Sequence, residues 1–327
     1  MKTLVATLFV TAISAGVAHA NHSKKYFPLD SGNSWTFARY HPAVQHAPWT
    51  MTVVQATRGM AWVVGMPGFE NGVWLSWGGE TLYAWNASEG AWKPWLRFGA
   101  RSGTTYTVNL GRPMWTQTRV TVDSNSDRVR NAVLGSTFYN CKRFSFSPLN
   151  PDAGMVNMYF APTYGLVQWS KRSGLTPTSG ALMSAVLSGK KFGTILYTVA
   201  AAGPDWNPGI PMNSRTTFGP GGSPFQVIND AEAWDRAKRG ISSAEQVPMV
   251  DWTKQSVILI KALHVFNSRG SISVEDVQWN YRTQEAFVKV RLKTPREGES
   301  SLWYSPYCVL VTEEKVPKAK WHMTVSQ

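Results

Sequence analysis

Gly72-Val-Trp-Leu-Ser-Trp77, a Gly78-Gly79 pair and Thr81-Leu-Tyr-Ala-Trp85 are the segments that decide the fold. Two short β-prone runs flank glycines that supply the positive φ of a tight hairpin. Along a strand, successive side chains point to opposite faces, so Trp74 and Trp77, three apart, face opposite sides of the sheet. The same pattern extends outward in both directions. Trp49-Thr-Met-Thr-Val-Val-Gln55 and Gly59-Met-Ala-Trp-Val-Val-Gly-Met66 precede the hairpin, and Trp115-Thr-Gln-Thr-Arg-Val-Thr-Val122 alternates cleanly after it. Residues 129–134, 139–146, 156–160, 165–169 and 181–187 continue the series. Hardly any segment of residues 26–200 keeps a helical period over three turns. The pattern predicts a mainly β first domain: a curved antiparallel sheet or a partly closed β-barrel.

The ends and junctions divide the rest. Lys2, the apolar run of residues 4–17 and Ala18-His19-Ala20 appear in the order of a secretory signal peptide, predicted for residues 1–20. The expected mature chain starts at Asn21, has no cysteine there for lipid attachment, and is periplasmic or extracellular. No later run is long and apolar enough for a membrane helix. A Trp-rich all-β domain is assigned to residues 21–202. Residues 203–224, including Gly219-Pro-Gly-Gly-Ser-Pro224, read as a Gly/Pro-rich linker. Residues 225–327 read as a small α+β domain. Asp230 caps a helix running through Ala231-Glu-Ala-Trp-Asp-Arg-Ala-Lys-Arg239, with acids early and bases late. Ser256-Val-Ile-Leu-Ile260, Ala286-Phe-Val-Lys-Val-Arg-Leu292 and Tyr307-Cys-Val-Leu-Val-Thr312 supply an antiparallel sheet for one helix to cover.

The chain carries 33 Lys and Arg against 20 Asp and Glu, a net charge of +13. The excess is concentrated in residues 21–214, which hold 17 basic and 8 acidic residues. No nucleic-acid-recognition motif accompanies it, so a nucleic acid is not expected as partner. An anionic glycan, a lipid headgroup or an acidic protein surface fits an exported protein better. The two cysteines, Cys141 and Cys308, fall one in each domain. An exported protein permits a disulfide between them that would staple the domains, and two separately buried thiols are the favoured reading.

Catalytic signatures are sparse. His41 and His46 flank Pro42 with no Cys, Asp or Glu beside them, a poor metal set. Ser188-Gly-Lys-Lys191 matches a Ser-x-x-Lys spacing, but on a Gly-broken turn and without companion motifs. Glycoside chemistry needs two acids about 5–10 Å apart. Among the thinly spread acids of the first domain only Glu70 and Glu80, flanking the Trp74–Trp77 hairpin, are a pair to inspect. No cofactor or metal is expected, and the chain reads as a non-enzyme. The 16 tryptophans carry more information: Trp62, Trp74, Trp77, Trp85, Trp92 and Trp95 crowd one stretch. Trp74, Trp77, Trp85, Trp92 and Trp95, with Lys93, Arg97 and Arg101 as basic neighbours, form the candidate ligand surface. Aromatic platforms of this kind stack on sugar rings or apolar peptides.

Two resemblances follow from these residues. Tyr26-Phe-Pro-Leu-x-x-Gly-Asn-x-Trp35 resembles the opening of a β-rich domain of exported bacterial proteins. Leu134-Gly-Ser-Thr-Phe-Tyr-Asn-Cys141 and Tyr159-Phe-Ala-Pro-Thr-Tyr-Gly-Leu-Val167 resemble its later segments in order, with Thr163-Tyr164 where Gly-Val is usual. That family implies no settled activity. Around residues 225–315, the Trp234 helix, Val250-Asp251-Trp252 and the strand at 257–260 resemble the C-terminal domain of PrcB-type protease-complex proteins. Ser268-Arg-Gly-Ser-Ile272 replaces its usual Gly-Gly-Tyr segment. This resemblance implies a non-catalytic partner of an extracellular protease. Together the readings give an exported accessory protein that binds another protein or an envelope glycan or lipid. The alternative is a glycan or apolar-ligand carrier that uses the Trp-rich domain.

Overall fold

The computed structural model describes residues 23–40, 47–69, 71–174, 176–203, 225–238, 247–261, 265–266, 271–293, 303–304 and 307–326. The chain forms two compact units, Met1–Lys191 and Phe192–Gln327. The signal-peptide assignment for residues 1–20 and most of the linker at 203–224 lie outside the described residues.

The first unit is a twelve-stranded antiparallel sheet nearly closed into a barrel. Its strands are β1 (Ser34–Tyr40), β2 (Trp49–Thr57), β3 (Met60–Val64), β4 (Val73–Gly78), β5 (Thr81–Asn86), β6 (Ala91–Arg97), β7 (Thr105–Val108), β8 (Thr118–Asn131), β9 (Ser136–Ser147), β10 (Ala153–Ala161), β11 (Gly165–Ser173) and β12 (Thr176–Leu187). The spatial order runs β6-β5-β4-β3-β2-β1-β12-β11-β10-β9-β8-β7. Neighbours in sequence are therefore neighbours in space, except where β1 pairs with β12. The two ends of the order, β6 and β7, are consecutive in the chain. The Tyr106 hydroxyl on β7 donates to Trp95 O at 3.1 Å and accepts from Arg97 N at 3.0 Å, both on β6. A side chain thus bridges the seam where a backbone ladder would otherwise continue.

Alternation fills the lumen. Thr118, Val120 and Val122 of β8 are buried while Arg119 is exposed and Thr121 is half-buried. The interior is aromatic: Trp35, Phe69, Trp95, Phe98, Trp115, Phe144 and Phe160 are each at most 1% exposed. Phe69, Trp95 and Trp115 pack mutually at 5.0–5.4 Å between ring centroids. Phe98, Phe144 and Phe160 form a second group at 5.1–6.0 Å. All but the stacked Phe69–Trp115 pair meet edge to face, and such contacts add to the burial of area.

The motif that opens the domain has a physical basis. Phe27 is fully buried, its ring 5.2 Å from Trp35 and 5.6 Å from Phe160. Buried Asn33 donates to Pro28 O and accepts from Ser188 N, while its carbonyl accepts from Val53 N. The Trp35 indole donates to Tyr164 O at 2.6 Å. Tyr26 donates to Asn140 O. The segments at 26–35, 134–141 and 159–167 therefore meet at one end of the barrel. Gly165 is obligatory there: at φ +79, an added Cβ would lie 2.7 Å from Trp35 Nε1.

Thr163 occupies the turn at φ +75, a region that disfavours β-branched residues. Its side chain is exposed, and its N–H donates to Lys25 O at 2.7 Å. Thr163→Gly keeps that hydrogen bond and relieves a left-handed cost of about 1–2 kcal/mol, offset by glycine's entropy cost of about 0.5–1 kcal/mol. A urea midpoint raised by the equivalent of about 0.5–1 kcal/mol is expected; a lowered midpoint would refute the account.

The second unit contains β13 (Lys190–Thr194, entering the unit at Phe192), β14 (Tyr197–Gly203), β15 (Phe225–Ile228), α1 (Ala231–Lys238), β16 (Ser256–Lys261), β17 (Val265–Phe266), β18 (Ser271–Asn280), β19 (Glu285–Lys293), β20 (Trp303–Tyr304), β21 (Tyr307–Thr312) and β22 (Ala319–Ser326). The predicted helix is present on a sheet ordered β14-β21-β16-β15, which holds the strands expected at 256–260 and 307–312. The strand expected there at 286–292 is β19, and it pairs instead with β18 and β22. On one face, Val257, Leu259, Val309 and Val311 pack with Trp234 of α1. On the other, Ile258, Ile260 and Leu310 pack against Ile272, Val277, Val288 and Val290 of a second sheet. That second layer and the parallel β19–β22 pair were not anticipated from the sequence. The division after Lys191 lies ahead of the expected 202. The Ala-rich β14, compositionally like a linker, pairs with the core strand β21 from Tyr197↔Thr312 to Gly203↔Tyr307.

Candidate functional site

The candidate tryptophans separate into three environments. Ala61 and Val63 on β3, Leu75 on β4 and Ala84 on β5 are fully buried and face the lumen. The alternate residues Trp62, Trp74 and Trp85 therefore face outward, each half-buried. Trp62 pairs across the ladder with Trp74, and Trp85 with Trp92. The register that pairs Leu75 with Ala84 places Trp74 opposite Trp85 one step along. Four tryptophans thus line up across β3, β4, β5 and β6 on the outer wall. They form two inclined pairs, Trp62–Trp74 at 5.5 Å and 51° and Trp85–Trp92 at 5.4 Å and 67°. A second outward row, Met60, Ser76, Tyr83 and Pro94, runs beside them.

Trp95 does not belong to this surface. A bulge lets Leu82 pair with Leu96 and Tyr83 with Pro94, which leaves Trp95 as the extra residue on β6. Three positions from outward Trp92, it falls on the inner face, where it is 0% exposed, and the bulge turns the following Leu96 inward as well. Trp77 also leaves the row. It packs on Phe98 at 5.1 Å and donates its indole N–H to Phe27 O at 3.1 Å.

The basic neighbours do not gather on the tryptophan row. Lys93 pairs opposite inward-facing Ala84 and is ion-paired with Glu89. Exposed Arg97 lies over the Tyr106 ring, 4.6 Å from its centroid, at the seam. Arg101 is exposed in the turn beyond β6, its carbonyl accepting from Thr104 N.

A second site, not anticipated from the sequence, lies where the N-terminal segment crosses the barrel end. A cavity of about 540 Å³ opens between residues 24–30, the β2–β3 hairpin and Trp77. Lys24, Lys25, Arg58 and Asp30 supply its charges. Behind it, Lys142 donates to Asn125 Oδ1 and Phe98 O, and its ammonium sits 5.4 Å from the Tyr26 ring centroid. Burial pushes Lys142 below the usual lysine range, Glu80 opposes that shift and Lys25 reinforces it. The Lys24-Lys25 pair was visible as a basic doublet. The partners that enclose the cavity lie tens of residues away in sequence and were not.

No protein family matches the sequence, and no curated protein matches it. Among solved structures, the chain is similar to a lipoprotein from Parabacteroides distasonis at 8% identity, over 48% of this chain and 96% of that one, with a TM-score of 0.25. It is similar also to the hypothetical lipoprotein YmcC from Escherichia coli at 9% identity, over 56% and 96% of the two chains, again with a TM-score of 0.25.

The remaining candidate chemistry has structural explanations or falls outside the described residues. Cys141 and Cys308 are free, buried thiols. Burial first, then Asp127, pushes Cys141 up to about 12; burial pushes Cys308 up to about 11. A thiol in that range carries almost no thiolate at neutral pH and is a poor nucleophile. Ser188 occupies a turn at φ +49, its amide held by Asn33 and its hydroxyl directed to Asp30 Oδ2 at 3.5 Å. His41, His46 and Glu70 lie outside the described residues. Among the described residues, no cluster of His, Cys, Asp and Glu could hold a metal, and no helix is long and apolar enough to cross a membrane.

Proposed function

We propose that the chain is a non-catalytic exported binding protein whose first unit holds a cell-envelope glycan along its outer tryptophan row. The observation that carries this reading is the register of Trp62, Trp74, Trp85 and Trp92 on four adjacent strands, on the wall facing away from the lumen. Core packing does not account for them, because the core is filled by their inward neighbours. A row of indoles spaced by the strand separation of about 4.8 Å presents repeated apolar faces to a repeating chain. Sugar rings of an extended glycan have such faces, and the flanking Ser76 and Tyr83 hydroxyls suit their rims. The lumen offers an apolar ligand little room, since it is occupied by Phe and Trp rings.

The test uses Trp74→Ala/Trp85→Ala on the full chain. Binding to a β-1,4-linked hexasaccharide and to purified envelope polysaccharide is followed by indole fluorescence and by co-sedimentation. At least tenfold weaker binding is expected, about 1.4 kcal/mol. Since the loss of two half-buried, ring-paired indoles also lowers the urea midpoint, binding is compared in the absence of urea, where both proteins are folded. Unaltered binding, or no saturable binding of either glycan by the native chain, would overturn the reading.

A further inference from the structure

We propose that the cavity at the barrel end binds an anionic amphiphile: a phosphate or carboxylate head joined to an alkyl or aryl body. This site adjoins the outward row at Met60 but includes none of its four tryptophans, and it does not depend on that row's function.

Three observations combine here. First, the charge is one-sided. Lys24, Lys25 and Arg58 line the cavity with Asp30 as the one carboxylate, and Asp30 lies within 3.5 Å of the Ser188 hydroxyl. Lys24 and Arg58 are exposed, so their charges are available to a ligand entering from solvent. Second, the opposing wall is apolar. Pro28, Leu29, Met60 and Trp77 line it, each only half-buried. The Trp77 ring is fixed by its bond to Phe27 O and by Phe98, so it is a preorganised surface rather than a mobile flap. Third, Arg58 sits at φ +46 beside Gly59 at φ +80, the first position of a two-residue hairpin turn. Gly, Asn and Asp are favoured there, and an arginine carries a backbone cost without a gain in turn geometry. The gain is positional: the turn carries the guanidinium to the rim of the cavity. Arginine provides a planar fork of donors that matches phosphate and carboxylate oxygens.

These features select the ligand class. A bare inorganic anion leaves the apolar wall wet. A neutral amphiphile makes no use of the exposed Lys24 and Arg58 charges. A volume of about 540 Å³ lies within the range of small-molecule sites and accommodates a headgroup with a short apolar segment.

The experiment titrates the full chain with dodecyl phosphate below its micellar concentration, read by isothermal calorimetry and indole fluorescence. Inorganic phosphate and dodecyl maltoside serve as comparators. One-to-one binding by dodecyl phosphate is expected, at least tenfold tighter than either comparator and weakened by raising salt, since rim charges are screened. Lys24→Gln/Arg58→Gln removes two exposed charges without touching the core and should weaken dodecyl phosphate binding at least tenfold. Its urea midpoint, compared with that of the native chain, separates this effect from unfolding. Vesicles of phosphatidylcholine with and without phosphatidic acid distinguish the source. Charge-dependent co-sedimentation only with phosphatidic acid supports a membrane headgroup, and binding of the monomer alone supports a free amphiphile. Equal binding of dodecyl maltoside, unaltered affinity in the Lys24→Gln/Arg58→Gln variant, or no saturable binding would overturn the proposal.

Discussion

Phe98→Ala is expected to lower the stability of the first unit by about 3–5 kcal/mol, the range for removing a buried phenyl ring. Phe98 is 0% exposed and is the ring about which one lumenal group is arranged. Its centroid lies 5.7 Å from that of Tyr26, 5.1 Å from Trp77, 5.1 Å from Phe144 and 5.2 Å from Phe160. Those neighbours come from the N-terminal segment, β4, β9 and β10, so no one strand can move in to fill the void. A unit of this size loses about 2–4 °C in Tm per kcal/mol, which puts the expected drop near 10 °C. Phe98→Leu retains most of the volume and should cost less than about 2 kcal/mol. Urea and thermal unfolding followed at the indole band measure both variants. A loss below 1 kcal/mol for the alanine variant would mean that the lumen beside Trp77 is not close-packed, and the fixed wall assigned to the cavity would fail with it.

The strands were legible because alternation is a local property. The run Glu285–Lys293 reads inside and outside by turns, and the structure buries Ala286, Val288, Val290 and Leu292 in that rhythm. Trp74 and Trp77 fall on opposite faces for the same reason. What depends on register was not legible. The tryptophan row needs three ladder alignments at once, and nothing in one strand's sequence sets the next strand's offset. Trp95 was grouped with Trp92 for its nearness in sequence, although three positions along a strand put the two on opposite faces; the bulge opposite Leu82 and Tyr83 brings Leu96 inward beside it. The cavity was hidden for a different reason. Its walls come from the segment at 24–30 and the turn at 57–60, which meet only once Phe27 and Trp35 are seated. In the second unit, Val199-Ala-Ala-Ala-Gly203 looks like linker sequence because small residues serve equally well in a loop and against a neighbouring strand.

The second large effect concerns barrel closure. Tyr106→Phe removes one hydroxyl and is expected to cost about 1–3 kcal/mol, the range for leaving a buried polar group without its partner. The Tyr106 oxygen serves two backbone groups of β6: it donates to Trp95 O and accepts from Arg97 N. Its loss leaves the part-buried Trp95 O without that partner, at about 1–3 kcal/mol, while the Arg97 amide, at an exposed position, turns to water. The same site predicts a pH dependence. Burial first raises the phenol to about 12, with the Arg97 amide hydrogen bond and the Arg97 charge pulling the other way. A phenol whose folded pKa lies above its unfolded value near 10 stabilises the fold fully below pH 10. That contribution is lost progressively as pH rises from 10 to 12. The native chain should therefore lose stability across this window, and the Tyr106→Phe variant should lose less, so that the difference between them narrows as pH increases. Urea unfolding at pH 7, 10 and 11.5 measures the gap, and hydrogen exchange at the Arg97 amide localises it. A gap that stays constant from pH 7 to 11.5, or an Arg97 amide equally protected in both proteins, would show that the seam is held by something other than this hydroxyl.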